Sequence, residues 1–124
     1  MKIERIRALR GPNLWSKNTS IEALVYCEED ERLYDRFAAI EMRARSALPG
    51  IGSLRATGFE QSNIALAHIL SRVALRFQVE AGSQVTFAHV ADNITTGYFR
   101  VVVQYEEEEL ARAAFDEAHK LILA

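Results

Sequence analysis

The stretch YFRVVVQY, residues 98–105, decides the architecture. Three consecutive valines between aromatic residues favour an extended, half-buried chain over a helix. Just upstream, QVTFAHV (84–90) alternates, with Val85, Phe87 and His89 on one face and Thr86 and Ala88 on the other. The intervening ADNITTG (91–97) reads as a loop, so the two runs form a closing pair of strands. Downstream, residues 108–123 carry Leu110, Ala114, Ala118 and Leu121 on one helical stripe.

Working back toward the N-terminus, residues 59–81 place Ile64, His68, Val73 or Leu75, and Phe77 among small alanines. This segment is apolar on more than one side, which predicts a central buried helix ending at Ala81-Gly82. Residues 31–47 hold Leu33, Phe37, Ile40 and Ala44 or Ala47 at helical spacing, and LPGIG (48–52) stops them. SIEALVYC (20–27) reads as a strand. Residues 2–9 set Ile3, Ile6 and Leu9 among charges, a short edge strand without strict alternation, and RGPNLW follows as a turn. The order is ββααββα. Runs of strands beside runs of helices predict an α+β, two-layer fold, an antiparallel sheet of about four strands packed with about three helices.

The chain has 124 residues, the size of one domain, and 49% are hydrophobic, enough for a real core. No apolar run reaches the roughly 20 residues of a membrane span, and MKIERIRALR lacks the apolar stretch of a secretory signal. A single cysteine, Cys27, excludes an internal disulfide or a multi-cysteine metal site and points to a core thiol in a reducing, cytoplasmic setting. Charge is polarised. Lys2, Arg5, Arg7, Arg10 and Lys17 dominate the start, and Glu106 to Glu109, Asp116 and Glu117 dominate the end. With a net charge of −2 and no basic-aromatic cluster, nucleic acid is not the expected partner. No phosphate-binding glycine loop occurs, since Gly50-Ile51-Gly52 follows a helix. The three histidines, His68, His89 and His119, are read as unrelated. In the 10–15 turn, Asn13 is expected to tie the chain by its side chain and Trp15 to pack in the core.

At RALRGPNLWS (7–16) the chain resembles the amino-terminal domain of cyanophycin synthetases, in the form found in heterotrophic bacteria. LPGIGSLR (48–55), VALRFQVEAG (73–82), VTFAHV (85–90) and GYFRVVVQYEEE (97–108) are similar to that family's segments in the same order. The resemblance implies a single domain over 1–124, followed in the parent by ATP-grasp and Mur-ligase-like domains. The parent would use ATP and Mg²⁺ to build cyanophycin, a poly-aspartate with arginine on each side chain. It would be a cytoplasmic homo-oligomer acting away from membranes. The domain seen here would hold and position polymer without catalysing, and would carry no cofactor of its own.

Some members carry an H-x-x-E-H zinc-peptidase helix at this point. Here the stretch is His68-Ile69-Leu70-Ser71-Arg72, and Ser71 and Arg72 replace the acid and the second imidazole. Serine is a poor general base and a guanidinium repels a dication, so zinc and primer cleavage are not expected. A zwitterionic polymer calls for both signs of charge. The candidate carboxylate-binding residues are Arg7, Arg10, Arg72, Arg76 and Arg100, and the candidate guanidinium-binding residues are Glu106 and Glu107 with their neighbours. A purely structural domain for interdomain packing or oligomerisation is the alternative.

Overall fold

The computed structural model describes residues 1–15, 17–28, 36–52, 54, 63–93 and 95–124. Seven elements follow in chain order. They are strands β1 (Lys2–Leu9) and β2 (Ser20–Tyr26), helices α1 (Phe37–Ala47) and α2 (Ile64–Glu80), strands β3 (Ala88–Asp92) and β4 (Tyr98–Gln104), and helix α3 (Glu108–Leu123). The sheet is antiparallel throughout, in the order β1-β2-β4-β3. All three helices lie on one side, which makes the α+β, two-layer fold the sequence predicts. Among the described residues, no helix is long and apolar enough to cross a membrane.

The core lies between the sheet and the helices. Ile21, Ala23 and Val25 of β2 oppose Val103, Val101 and Phe99 of β4, and all six face inward. On β1 the inward residues are Ile3, Ile6 and Ala8. Strict alternation would put Ile3 and Ile6 on opposite faces. The ladder resolves this: Ile3 pairs with Val25 and Arg5 with Leu24, leaving Glu4 as an extra, bulged residue. The irregular pattern of residues 2–9 is thus a bulged strand with a regular core face.

Helix α2 is central, as its all-round apolarity predicts. It buries Ala65, Leu66, Ala67, Ile69, Leu70, Val73 and Ala74, and packs against α3, β4 and β3. It ends in two paired backbone bonds, Ser83 N–H to the Gln78 carbonyl and Gly82 N–H to the Val79 carbonyl, with Gly82 at φ 101°. Only glycine adopts that angle without strain. Helix α1 buries Ile40 and Ala44, and the Leu48 N–H closes it onto the Ala44 carbonyl. The expected start of this helix at residues 31–35, with Leu33, lies outside the described residues, as does the stretch 59–62 expected to begin α2. Cys27 is fully buried, in the core as expected.

Two sequence expectations need correction. The strand expected at 84–90 begins at Ala88 and runs to Asp92. Upstream of it, one backbone bond remains, from the Gln104 N–H to the Phe87 carbonyl at 2.9 Å, and the Gln104 side chain replaces the rest of the ladder: its Oε1 accepts the N–H groups of Thr86 at 3.0 Å and Phe87 at 3.2 Å. In α3 the inward stripe is Ala111, Ala114, Phe115, Ala118 and Ile122, with Leu110 and Leu121 on its flanks. The bulky Phe115, 0% exposed, turns the helix so that its own side chain fills the core.

Candidate functional site

The sheet face turned away from the helices carries polar and aromatic residues in rows set by the ladder. Across one row stand Arg7, Glu22, Val102 and His89; across the next, Arg5, Leu24, Arg100 and Ala91. Glu22 is 3% exposed, which is unusual for an outward carboxylate. The loop after β1 explains it. The Asn13 side chain donates to the carbonyls of Gly11 and Asn18, and its Oδ1 accepts the Trp15 N–H at 2.9 Å, the side-chain-tied turn the sequence predicts. This folds Trp15 back over the sheet. Its indole Nε1–H donates to Glu22 Oε2 at 3.0 Å, and its ring centroid lies 5.6 Å from that of His89. Val102, between those two partners, is 0% exposed beneath the ring.

The tryptophan therefore packs on the outer face, not in the core. Its polar N–H finds a carboxylate there, while the helix side of the sheet is already filled by aliphatic side chains.

Arg7 donates through Nε to the other Glu22 oxygen at 3.0 Å, and its side chain stays half-exposed. Arg5 and Arg100 have no ion-pair or hydrogen-bond partner among the described residues. They flank Leu24 on opposite sides of β2, so their backbones stand about 10 Å apart. Glu22 is thus shared by Arg7 and Trp15, and the rest of this patch is cationic.

The other proposed charges lie elsewhere. Arg10 reaches the start of α3, where its Nη2 is 3.3 Å from Glu108, which also pairs with Arg112. Hydrogen bonds from Arg112 and then Arg10 hold the Glu108 carboxyl below its usual range. Glu106 accepts the Gln84 N–H, and Glu107 is an exposed residue at the N-terminus of α3. Arg72 and Arg76 sit on α2 beside the 48–52 turn. Arg72 donates to the Ile51 carbonyl at 3.4 Å, and Arg76 pairs with Glu80 at 2.7 Å. They line a groove of about 280 Å³ with Ile51, Leu75, Val79, Val85 and Thr86. The five arginines thus divide among three places, and the sheet face holds Arg7 and Arg100. Sequence reasoning passed over Arg5, although its spacing of two from Arg7 signals a shared strand face.

At the degenerate metal motif, the buried Ser71 hydroxyl donates to the His68 carbonyl at 2.7 Å, a bond within its own helix. Among the described residues, no group of three or more His, Cys, Asp or Glu side chains is placed to hold a metal. The histidines are less separate than the sequence suggests. Burial pushes His68 below its usual range, the neighbouring His89 adds to this, and Asp92 opposes it. His119 stands apart, its Nε2 3.1 Å from the Met1 carbonyl oxygen.

Comparison with known proteins places this arrangement in a family. The family model for the cyanophycin synthase-like N-terminal domain matches residues 56–124. The chain belongs to that family. Across 98% of its length it is 30% identical to the cyanophycin synthetases of Trichormus variabilis and of a Nostoc species. It spans 15% of the length of each of these relatives.

Proposed function

We propose that residues 1–124 form the polymer-holding N-terminal domain of a cyanophycin synthetase and are themselves non-catalytic. The observation that carries this reading is the outer sheet face, where Arg5 and Arg100, without an ion-pair partner among the described residues, lie beside Arg7. Guanidinium groups on a rigid sheet suit bidentate capture of carboxylates spaced along a chain. In the parent, ATP and Mg²⁺ would serve the ATP-grasp and Mur-ligase-like domains. The parent would be a cytoplasmic homo-oligomer. Peptidase chemistry is left out of the reading, because Ser71 is spent on a backbone carbonyl and Arg72 occupies the place of a second imidazole.

The test is polymer co-sedimentation with wild type, an Arg5→Glu/Arg100→Glu pair and an Arg72→Glu/Arg76→Glu pair, at low and physiological salt. Two lost surface pairs at about 0.7 kcal/mol each predict roughly tenfold weaker binding for the sheet-face variant. Salt should weaken the wild type, since exposed pairs are screened over about 8–10 Å. Equal retention of wild type and sheet-face variant moves the site off the sheet. Absence of wild-type binding at low salt overturns the polymer reading in favour of a structural domain.

A further inference from the structure

At one end of the outer face two tyrosines and two carboxylates take the place of the arginines. Lys2, Tyr26 and Tyr98 oppose one another on β1, β2 and β4. The tyrosine rings lie 4.9 Å apart, tilted by 48°. Gly97 backs onto the Tyr26 ring so closely that a Cβ there would stand 2.9 Å from ring Cε2. Neither phenol hydroxyl has a hydrogen-bond partner among the described residues. The two rings wall a cavity of about 340 Å³, completed by Met1, Lys2, Glu4 and Glu28. Glu4 is the bulged residue of β1, and its carboxylate lies 3.6 Å from the Lys2 ammonium.

Aromatic faces attract cations through the ring quadrupole, and Glu28 and Glu4 add charge of the same preference, Glu4 sharing its carboxylate with the exposed Lys2 ammonium. The shape of the cation matters. A compact ammonium is strongly hydrated and offers no flat face. A guanidinium is weakly hydrated, stacks on a ring and forks its N–H groups onto a carboxylate. A space of about 340 Å³ has room for an alkylguanidinium. We propose that the cavity is a binding subsite for an alkylguanidinium, stacked on Tyr98 and Tyr26 with its N–H edge toward Glu4 and Glu28.

Arg100 lies two residues from Tyr98 along β4, about 7 Å away. A ligand bearing both a carboxylate and a guanidinium can therefore bridge the arginine patch and the tyrosine cavity. That bridging rests on the polymer reading, whereas the cation chemistry of the cavity stands without it.

The probe is N-acetyl-arginine methylamide, a guanidinium without a carboxylate, titrated into the protein and followed by NMR. The lysine and citrulline counterparts serve as comparisons. Saturable shifts centred on Tyr26 and Tyr98 are expected, stronger for the arginine probe than for lysine and absent for the neutral citrulline. Tyr98→Leu should weaken binding about threefold to tenfold, the factor one cation–π contact supplies. Glu4→Gln, at an exposed position that leaves the core untouched, should also weaken it. Shifts that fail to saturate, that citrulline reproduces, or that survive Glu4→Gln unchanged overturn the proposal. Probe binding without polymer binding removes the polymer reading alone; polymer binding without probe binding removes the subsite alone.

Discussion

Trp15 and Glu22 offer the most direct quantitative check on how the outer face is held. Glu22 is 3% exposed and both of its oxygens are occupied, one by Arg7 and one by Trp15, each at 3.0 Å. The Arg7 side chain is 51% exposed, so solvent leaves that pair about 0–1 kcal/mol. The indole N–H bond is shielded and ends on a charge, which makes it worth about 1.5–3 kcal/mol. Trp15→Phe keeps a smaller ring on this face and removes the donor, and should cost about 2 kcal/mol or slightly more. Glu22→Ala loses both bonds and should cost about 3 kcal/mol. The double variant should be less damaging than the two costs added, by a coupling of about 1–2 kcal/mol, because each single change breaks the same bond. A loss of 2 kcal/mol lowers the thermal midpoint of a domain this size by about 8 °C. Urea and thermal unfolding by far-UV circular dichroism measure all four proteins. Trp15 is the sole tryptophan, so its fluorescence reports the site in those that keep it. A coupling below about 0.5 kcal/mol would refute the bond as the clamp of the loop.

Two further outcomes follow from geometry and titration. Gly97→Ala should destabilise by about 1–3 kcal/mol, because φ is 87° and the added carbon meets the Tyr26 ring and the Cys27 carbonyl; a midpoint at or above wild type in thermal unfolding contradicts this. His68 has a folded-state pKa below 6.5, chiefly through burial, with His89 and Asp92 pulling in opposite senses. From pH 6.5 down to the lowered value the unfolded chain binds more protons, so stability falls as pH falls through that window. His68→Gln should flatten this part of the urea-midpoint profile, and an unchanged slope removes His68 as its source.

Much of the fold was legible because its signals are local. The valine run of β4, the all-round apolarity of α2 and the Gly82 stop each declare themselves within a few residues. The misreadings share a cause: a distant partner changed the outcome. The Gln104 side chain takes the N–H groups of residues 86–87 in place of a strand ladder while its backbone N–H meets the Phe87 carbonyl, and Phe115 sets the roll of α3. Trp15 followed the same rule, since its partner Glu22 stands on the next strand and only the register aims it outward. The candidate site was half visible. Arg7 and Arg100 could be named from charge, but their union with Arg5 needs β2 between them. Arg72 and Arg76 sit one helical turn apart and were easy to pair, yet they lie on the helix layer, not on the outer sheet face.

The extra residue at Glu4 puts the first residues of the chain half a pleat out of phase with the rest of β1. Deleting that residue would make the pairings of Lys2 with Tyr26, Ile3 with Val25 and Arg5 with Leu24 consecutive, so Ile3 would still face the core and Lys2 would still face outward. Drawing Glu4 into the ladder while keeping the residue count would instead turn Ile3 outward and Lys2 inward. When relatives are aligned across this strand, a one-residue gap at Glu4 therefore signals a regular strand with the same two faces, whereas an ungapped strand without the bulge signals an inverted N-terminal surface.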